Sequence, residues 1–398
     1  MCDITDRLNL ISILYKDEKV WESHVLLQKL IKEYGFKDIY KLFPICIEIQ
    51  RRAAILKQFV DVLNDMKIDE IKVSSDFYTL NNCFVDKLTS EYEQNVYLDR
   101  SEFYSCNGSE NSDSYNSLNN INDEYNSDLD DYIEDKYFDV NGNLLNDAQL
   151  EECKSLVTNT KPKGWVCVTK KESFDLWYRG YEDSTIVEIC FQGSIKTNIF
   201  NVLSVFYERD LYKEWIPYFS FPVKFGLNSI KEIIHRDRVH IVTAIYIDIP
   251  WPFSNREVIL EIWVSDEITQ NNRIFIHASS IENHGFHPRL KTDIPYLMDY
   301  SNRANISGGG FVSPVDDCST CILFMWKIDL LIDPPKFLLN FFLKVFIKAC
   351  WEKFCKTCIQ ADGPNSIHRE RINNNKELYD FIRERISARK YIEKTKEI

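Results

Sequence analysis

A proline-containing segment of this sequence, Asp248–Arg256, presents aromatic side chains where they could contact a membrane. It lies between two runs of β-branched and aromatic residues, and Pro250 and Pro252 cannot donate hydrogen bonds to a strand partner. The segment therefore projects as a loop that carries Trp251 and Phe253. Aromatic residues on such a loop suit a membrane interface, and a loop folded back on its own core explains them equally well.

The segment from Pro335 to about Ile359 predicts a helix that is apolar on more than one face. Four of its polar residues, Asn340, Lys344, Lys348 and Glu352, form a narrow stripe. Such a helix is either buried on nearly all sides, or it covers an internal apolar cavity and touches a membrane when it moves. The longest apolar run, about 337–347, is too short to span a bilayer.

Residues suited to covalent or metal chemistry are not grouped in the sequence. The pairs Cys318/Cys321 and Cys355/Cys358 have zinc-ligand spacing, but the first lies in a predicted hairpin and the second on a helix. No nucleophile–base pair and no paired carboxylates appear at a catalytic spacing. We therefore predict no catalytic residues, no metal, no cofactor and no enzymatic activity.

Composition narrows the classes of partner. The 398 residues carry a formal net charge of -13, which argues against nucleic acid because a nucleic-acid surface must neutralise phosphates. The N-terminus lacks the basic and apolar regions of a signal peptide, so a cytoplasmic protein is expected.

The elements that must position these residues fall into four regions. Residues 1–95 are predicted as a helical module, and 96–145 as a disordered linker, because 101–135 contains ten acidic residues and no Lys or Arg. Over 146–362 seven or more short strands and two helical segments predict an α+β domain. Residues 363–398 predict a charged, solvated helix that packs loosely, with Leu378, Phe381, Ile382, Ile386 and Tyr391 along one side.

Three stretches of the third region carry a resemblance to a known family. The run IDIPWPFSNREVILEIW resembles the PWP-x-SNRD-type segment of START domains, especially those similar to the phosphatidylcholine transfer protein. FYERDLYKEWIPYF resembles the second-helix motif of that family, and KIDLLIDPPKFLLN resembles the entry to its C-terminal helix. Arg303 and GGGFVSP fit the strand between them.

This resemblance implies a helix-grip fold, in which a curved antiparallel sheet surrounds a long C-terminal helix that covers a lipid tunnel. It places Arg256 at the start of an inner strand, where a buried guanidinium needs a phosphate or a carboxylate. Internal candidates for that partner are Glu232, Asp237 and Glu257. The residues that hold phosphate in the phosphatidylcholine carrier appear here as Tyr212 and Ile216, so the headgroup stays open.

The function that follows from this resemblance is binding of one membrane lipid and its exchange between membranes, with transient peripheral membrane contact. A phospholipid is favoured over a sterol. The predicted lipid-binding residues are Arg256, Trp215, Tyr212, Tyr246, Asn255, Trp326, Phe342 and Phe346, and the predicted membrane-contact gate is Trp251, Phe253, Phe337 and Phe341. The alternatives are a lipid-sensing scaffold that recruits a protein partner through the N-terminal helices or the acidic linker, and a helix-grip enzyme.

Overall fold

The computed structural model describes residues 2–65, 163–171, 173–181, 184–221, 224–281, 284–287, 290–295 and 301–396. The chain divides into two compact units, represented among these residues by 2–65 and by 163–396. The predicted linker at 96–145 and the end of the predicted N-terminal module lie outside the described residues.

The first unit is helical, as the spacing of its apolar residues predicts. Its helices are α1 (Cys2–Lys16), α2 (Val20–Tyr34), α3 (Phe36–Leu42) and α4 (Cys46–Asp65). Their apolar faces share one core, formed by Leu8, Ile11, Leu27, Leu30, Ile31, Ile39, Cys46 and Ile49. The sharp change of direction between α2 and α3 occurs at Gly35, whose φ of 82° favours glycine.

The second unit is built on one large sheet whose main path is antiparallel. The strands in chain order are β1 (Val166–Lys171), β2 (Phe174–Gly180), β3 (Ile186–Ile195), β4 (Tyr218–Phe219), β5 (Phe225–Arg236), β6 (His240–Asp248), β7 (Asn255–Glu267), β8 (Arg273–Ser280), β9 (Gly285–His287), β10 (Thr292–Ile294), β11 (Ser301–Arg303), β12 (Asn305–Asp316) and β13 (Ser319–Asp329). Their order in the sheet is β1-β2-β3-β13-β12-β8-β7-β6-β5-β4. The short β11 pairs in parallel with the start of β7, and β9 and β10 form a separate hairpin.

Helices connect and cover these strands. Between β3 and β4 lie α5 (Ile199–Tyr207), a 3₁₀ turn (Arg209–Leu211) and α6 (Tyr212–Trp215), and α7 (Ile268–Asn271) joins β7 to β8. After β13 comes a continuous helical segment, which we call the closing helix. It consists of α8 (Lys336–Phe341), a π-helical turn (Phe342–Phe346) and α9 (Ile347–Gln360).

The sheet curls around the closing helix, because strands near both of its edges contact the same helical turn. β1 at one edge contacts the π-helical turn Phe342–Phe346. Near the other edge, the ring centroid of Phe225 on β5 lies 4.7 Å from that of Phe346. The predicted α+β fold, with a sheet around a long C-terminal helix, is confirmed.

A glycine on β3 permits the closest approach of the sheet to the closing helix. A Cβ at Gly193 would overlap the ring of Trp351 and lie 2.7 Å from the carbonyl oxygen of Ser173. We expect Gly193→Ala to lower the free energy of unfolding by about 1–3 kcal/mol, because overpacking forces the ring or the backbone to move. Urea unfolding measures this change.

Gly180 on the neighbouring β2 is the matched control. A Cβ at Gly180 would have nothing within 4 Å, so Gly180→Ala should leave the free energy of unfolding unchanged or slightly raised. Equal losses in both variants would contradict the close approach at Gly193.

The C-terminal tail differs from the loosely packed, solvated helix predicted for it. It forms α10 (Ile367–Asn374) and α11 (Lys376–Lys396), and its residues Ile372, Leu378, Tyr379 and Ile382 belong to the same core as the sheet and the closing helix. Tyr379 has no exposed surface. The charged composition of the tail did not indicate this packing, because a helix needs only one apolar stripe to join a core and its other residues can all be charged.

Candidate functional site

The side chains of the sheet that point toward the closing helix form what we call the concave face. Directly opposed residues of antiparallel strands share a face, so the pairs of Val264 with Ile276 and of Gly310 with Phe324 belong to one side. On the other side of the same strands, Trp263 and Phe275 have no exposed surface. Val264 and Ile276 keep partial exposure, so the concave face is only partly covered at these residues.

Aromatic rings form a flat part of this face. The rings of Phe324 and Trp326 on β13 are stacked, with centroids 6.0 Å apart and an interplanar angle of 3°. Opposite them on β12 stand Gly308 and Gly310, where an added Cβ would overlap backbone and ring atoms. The glycines therefore leave the rings room to lie flat, and Trp326 is placed on the concave face.

Arg256 stands on the concave face at the start of β7. Its side chain is 3 % exposed, and burial lowers the pKa of its guanidinium. Its Nε donates to the carbonyl oxygen of Leu330 at 2.6 Å, and Nη1 donates to that of Ser254 at 2.5 Å and to that of Asn255 at 3.3 Å. Among the described residues, no carboxylate pairs with it.

Two of the three carboxylates proposed as internal partners of Arg256 have other partners. Glu257 points to the opposite face of β7 and accepts from Nη2 of Arg303 at 2.8 Å. Glu232 is bonded to Arg209. An ion pair of Arg256 with either of these two carboxylates is therefore wrong, and Nη2 of Arg256 makes no hydrogen bond to a described residue.

Phe342 and Phe346 lie on the π-helical turn of the closing helix. Their centroids are 5.7 Å apart, and the Phe225 ring meets them edge-on at 6.0 Å and 4.7 Å. Both side chains keep partial exposure. The structure thus brings these predicted residues to the boundary between the closing helix and the concave face.

Tyr212 and Trp215 on α6 pack beside the second half of the closing helix. The Trp215 ring meets Phe354 of α9 edge-on at 5.1 Å. Tyr212 donates its hydroxyl to the carbonyl oxygen of Phe206 at 2.5 Å, and burial raises its pKa to about 12. The hydroxyl is therefore used within the protein, whereas Nε1 of Trp215 is buried without a hydrogen-bond partner.

Two predicted lipid-binding residues do not face the concave side. Tyr246 packs with Val242, Ala244 and Ile259, because side chains alternate along β6 and its neighbours Ile245 and Ile247 occupy the concave positions. Asn255 accepts through Oδ1 from the backbone N–H of Ile249 at 3.2 Å. Its observed role is to hold the base of the Trp251 loop.

Exposed aromatic residues surround one end of the sheet, and we call this set the rim. Trp251 is 92 % exposed and Phe337 is 64 % exposed, whereas Phe253 and Phe341 are partly buried. Phe341 meets Phe219 of β4 edge-on at 5.3 Å. The predicted gate residue Phe341 of the closing helix thus lies beside β4.

The rim also contains a residue that the sequence analysis missed. Phe221, which follows β4, is 84 % exposed. Tyr218 on β4 donates its hydroxyl to Asp248 at 2.6 Å, which ties this strand to the base of the Trp251 loop. The aromatic cluster around Pro222 in the sequence was the available signal.

A serine and a histidine are in contact away from the concave face, and such a pair is the arrangement of a catalytic nucleophile and its base. Oγ of Ser204 on α5 lies 2.9 Å from Nδ1 of His368 on α10, and Nε2 of that histidine lies 3.9 Å from Oε2 of Glu214. Burial and the charge of Arg371 hold the pKa of His368 below its ordinary value. Ser204 has no exposed surface, so a substrate cannot reach its hydroxyl and the contact joins α5 to the tail.

Two further features of the described part of the chain bear on function: its possible metal ligands and the apolar content of its helices. No group of three or more His, Cys, Asp or Glu side chains there is arranged to hold a metal ion. Within the same ranges, no helix combines the length and the apolar content needed to cross a bilayer.

Comparison with known proteins finds no matching family model and no matching curated protein. Solved structures do resemble part of the chain. Human STARD10 has a TM-score of 0.41 at 14% identity, covering 61% of this chain and 89% of that one. Human StAR-related lipid transfer protein 5 has a TM-score of 0.40 at 13% identity, with coverages of 53% and 92%. A STAR-related lipid transfer protein from Xanthomonas axonopodis has a TM-score of 0.38 at 15% identity, with coverages of 50% and 100%.

Proposed function

We propose that this protein binds one membrane phospholipid between the concave face and the closing helix and exchanges it between membranes without covalent chemistry. The observation that carries this proposal is the position of Arg256. A buried guanidinium that pairs with no carboxylate of the described residues stands at the edge of an apolar face that is only partly covered. Apolar surface suits acyl chains, and the guanidinium suits the phosphate of a headgroup.

The need for such a site follows from the cost of moving a lipid through water. A two-chain phospholipid exposes roughly thirty methylenes, at about 0.8 kcal/mol each, so the barrier is on the order of 25 kcal/mol. A site that keeps the acyl chains out of water removes most of that barrier. The partly exposed residues Ile245, Ile247, Ile262, Val264, Ile276 and Trp326 supply apolar surface for this purpose.

A phospholipid fits Arg256 better than a sterol does. A phosphate accepts a charge-assisted hydrogen bond from the guanidinium and neutralises its charge, whereas a sterol hydroxyl leaves the buried charge without a counter-charge. The Nη2 atom, which makes no hydrogen bond to the described residues, supplies the additional donor.

We propose that the gate is the first half of the closing helix together with the Trp251 loop. In the second half, Trp351 stacks on Phe174 with centroids 4.7 Å apart, and Phe354 is 3 % exposed. In the first half, Phe337 is exposed and Phe341 is partly so. The π-helical turn between the halves is a natural place for the helix to bend, since π turns often occur at functional sites.

The rim is the surface that would meet a membrane, where the protein acts as a peripheral cytoplasmic component. Recruitment of a protein partner through the N-terminal helices or the acidic linker stays a prediction. A chain that lacks residues 1–145 but still transfers lipid would separate that role from lipid exchange.

The test of the proposed function is lipid content followed by lipid transfer. Native mass spectrometry of the purified protein should show one phospholipid per chain, and the protein should move fluorescent phospholipid between vesicles. In the Trp251→Ala/Phe337→Ala variant, we expect transfer to fall about tenfold or more, since each aromatic loses about 1.5–3 kcal/mol of apolar burial at the interface.

Phe286 provides the matched control for the rim. It is 61 % exposed and lies on the separate β9–β10 hairpin, so Phe286→Ala should transfer lipid at the original rate. A protein that holds no lipid and moves none would refute the carrier. Equal losses in the rim variant and the Phe286 variant would refute the rim as the membrane contact.

A further inference from the structure

The outward side of the closing helix carries a concentration of positive charge. Five lysines along it are exposed and one exposed acid, Glu352, accompanies them; the lysines are Lys336, Lys344, Lys348, Lys353 and Lys356. We call this set the lysine face. It stands out in a chain whose formal net charge is -13.

Most of this charge has no counterpart among the described residues. Lys348 lies 3.7 Å from Glu352, one turn further along the helix, and both side chains are at least half exposed. Lys336, Lys344, Lys353 and Lys356 make no ion pair with any residue that the structure describes. Elsewhere in the same unit, Arg179, Arg303 and Arg371 are paired with carboxylates. The lysine face is therefore available to an external anion.

Apolar side chains are mixed with these lysines. Phe337, Val345 and Ile359 are 64 %, 44 % and 52 % exposed. Steps of three or four residues along the helix connect Phe337 with Lys344, Lys348 and Ile359, so these side chains share one side. The buried residues of the helix lie on the opposite side; they are Leu343, Ile347, Trp351, Phe354 and Cys358. Lysines interleaved with exposed apolar residues are typical of helices that lie in a membrane interface.

We propose that the lysine face docks on a bilayer surface of net negative charge, so that the protein selects anionic membranes over neutral ones. This proposal rests on the proposed function and adds the kind of membrane that is served. The face is continuous with Phe337 of the rim, so docking brings the gate to the same bilayer. An acidic protein surface would use the lysines but would leave the three exposed apolar residues and the rim without an apolar partner.

The expected magnitude follows from the number of lysines. Each lysine near an anionic bilayer adds about fivefold to the partition constant, so three lysines contribute about a hundredfold. The attraction acts within a Debye length, about 10 Å at 0.1 M salt, and weakens as salt is added. Binding should therefore be strong at low salt, weak at high salt, and dependent on the lipid charge.

The experiment is sedimentation of the full-length protein with phosphatidylcholine vesicles and with vesicles that also contain phosphatidylserine, at low and high salt. The test variant is Lys344→Gln/Lys348→Gln/Lys356→Gln. The matched control is Lys171→Gln/Lys196→Gln/Lys231→Gln, which removes the same charge from exposed positions on β1 and β5 and immediately after β3. Native mass spectrometry of bound lipid in every variant tests the proposed function separately.

We expect the unaltered protein and the control to prefer phosphatidylserine vesicles, and the test variant to lose about a hundredfold in that binding while it keeps its bound lipid. Equal binding to both vesicle types, equal losses in both variants, or binding that ignores salt would each overturn the lysine face as the docking surface. If the protein still held one lipid per chain when one of these outcomes was found, the proposed lipid site would stand and only the docking surface would be wrong.

Discussion

Replacing Arg256 with leucine is expected to remove the bound phospholipid from a protein that remains folded. Hydrogen bonds between a guanidinium and a phosphate contribute about 1.5–3 kcal/mol, so lipid retention should fall about ten- to a hundredfold. The folded state should tolerate the change. The variant loses three bonds to carbonyl oxygens, but it also no longer buries a charge that has no counter-ion among the described residues. Lipid per folded chain is measured by native mass spectrometry, and stability by urea unfolding.

Arg303 provides the contrast that makes this result specific. Its side chain is also largely covered, at 9 % exposed, but it pairs with the fully buried Glu257 on the other face of β7. Arg303→Leu should cost about 3–5 kcal/mol of stability, because it removes a charged hydrogen-bond partner of a buried carboxylate, while lipid per folded chain is unchanged. If Arg256→Leu kept its phospholipid, or lost lipid only as it unfolded, the headgroup assignment would be wrong.

A comparably large effect on stability is expected from Tyr379→Ala in the tail. Tyr379 has no exposed surface and belongs to the core shared by the sheet, α5 and the closing helix. Deleting a buried aromatic side chain typically costs about 3–5 kcal/mol, through lost burial and the cavity that remains. Chemical unfolding should show this loss in a single transition for the second unit.

Glu384 on the same helix is the control, since its side chain is exposed. Glu384→Ala should change the free energy of unfolding by no more than about 0.5 kcal/mol. A tail that unfolded in an early transition of its own, with little effect of Tyr379→Ala on the main one, would show that α10 and α11 are peripheral after all.

The sequence predicted those parts of the fold that leave a local pattern. Short β-branched runs separated by polar turns indicated the strands, and a helix apolar on several faces indicated an element surrounded by the sheet. The proline-rich loop was evident, because Pro250 and Pro252 cannot join a ladder. Trp251 was accordingly placed on an exposed loop, and the structure has it there.

Other features depend on contacts between distant residues and left no such pattern. Which side of a strand faces inward depends on register, and β5 pairs with β6 through two irregularities, so the orientation of Tyr246 could not be derived locally. The contact of Ser204 with His368 joins residues 164 positions apart. The burial of Tyr379 likewise depends on partners far along the chain, such as the residues of the sheet and the closing helix in the same core.

The position of the tail has a consequence for the kinetics of exchange. Arg385 pairs with Asp266 at the end of β7, and Arg389 donates to carbonyl oxygens of α7, so the tail covers the end of the sheet that lies away from Arg256 and the rim. Under the proposed function, lipids enter and leave through the rim alone. An incoming lipid must then wait until the outgoing one has departed, which is a ping-pong order, and the direction of net transport is set by the lipid concentrations of the two membranes.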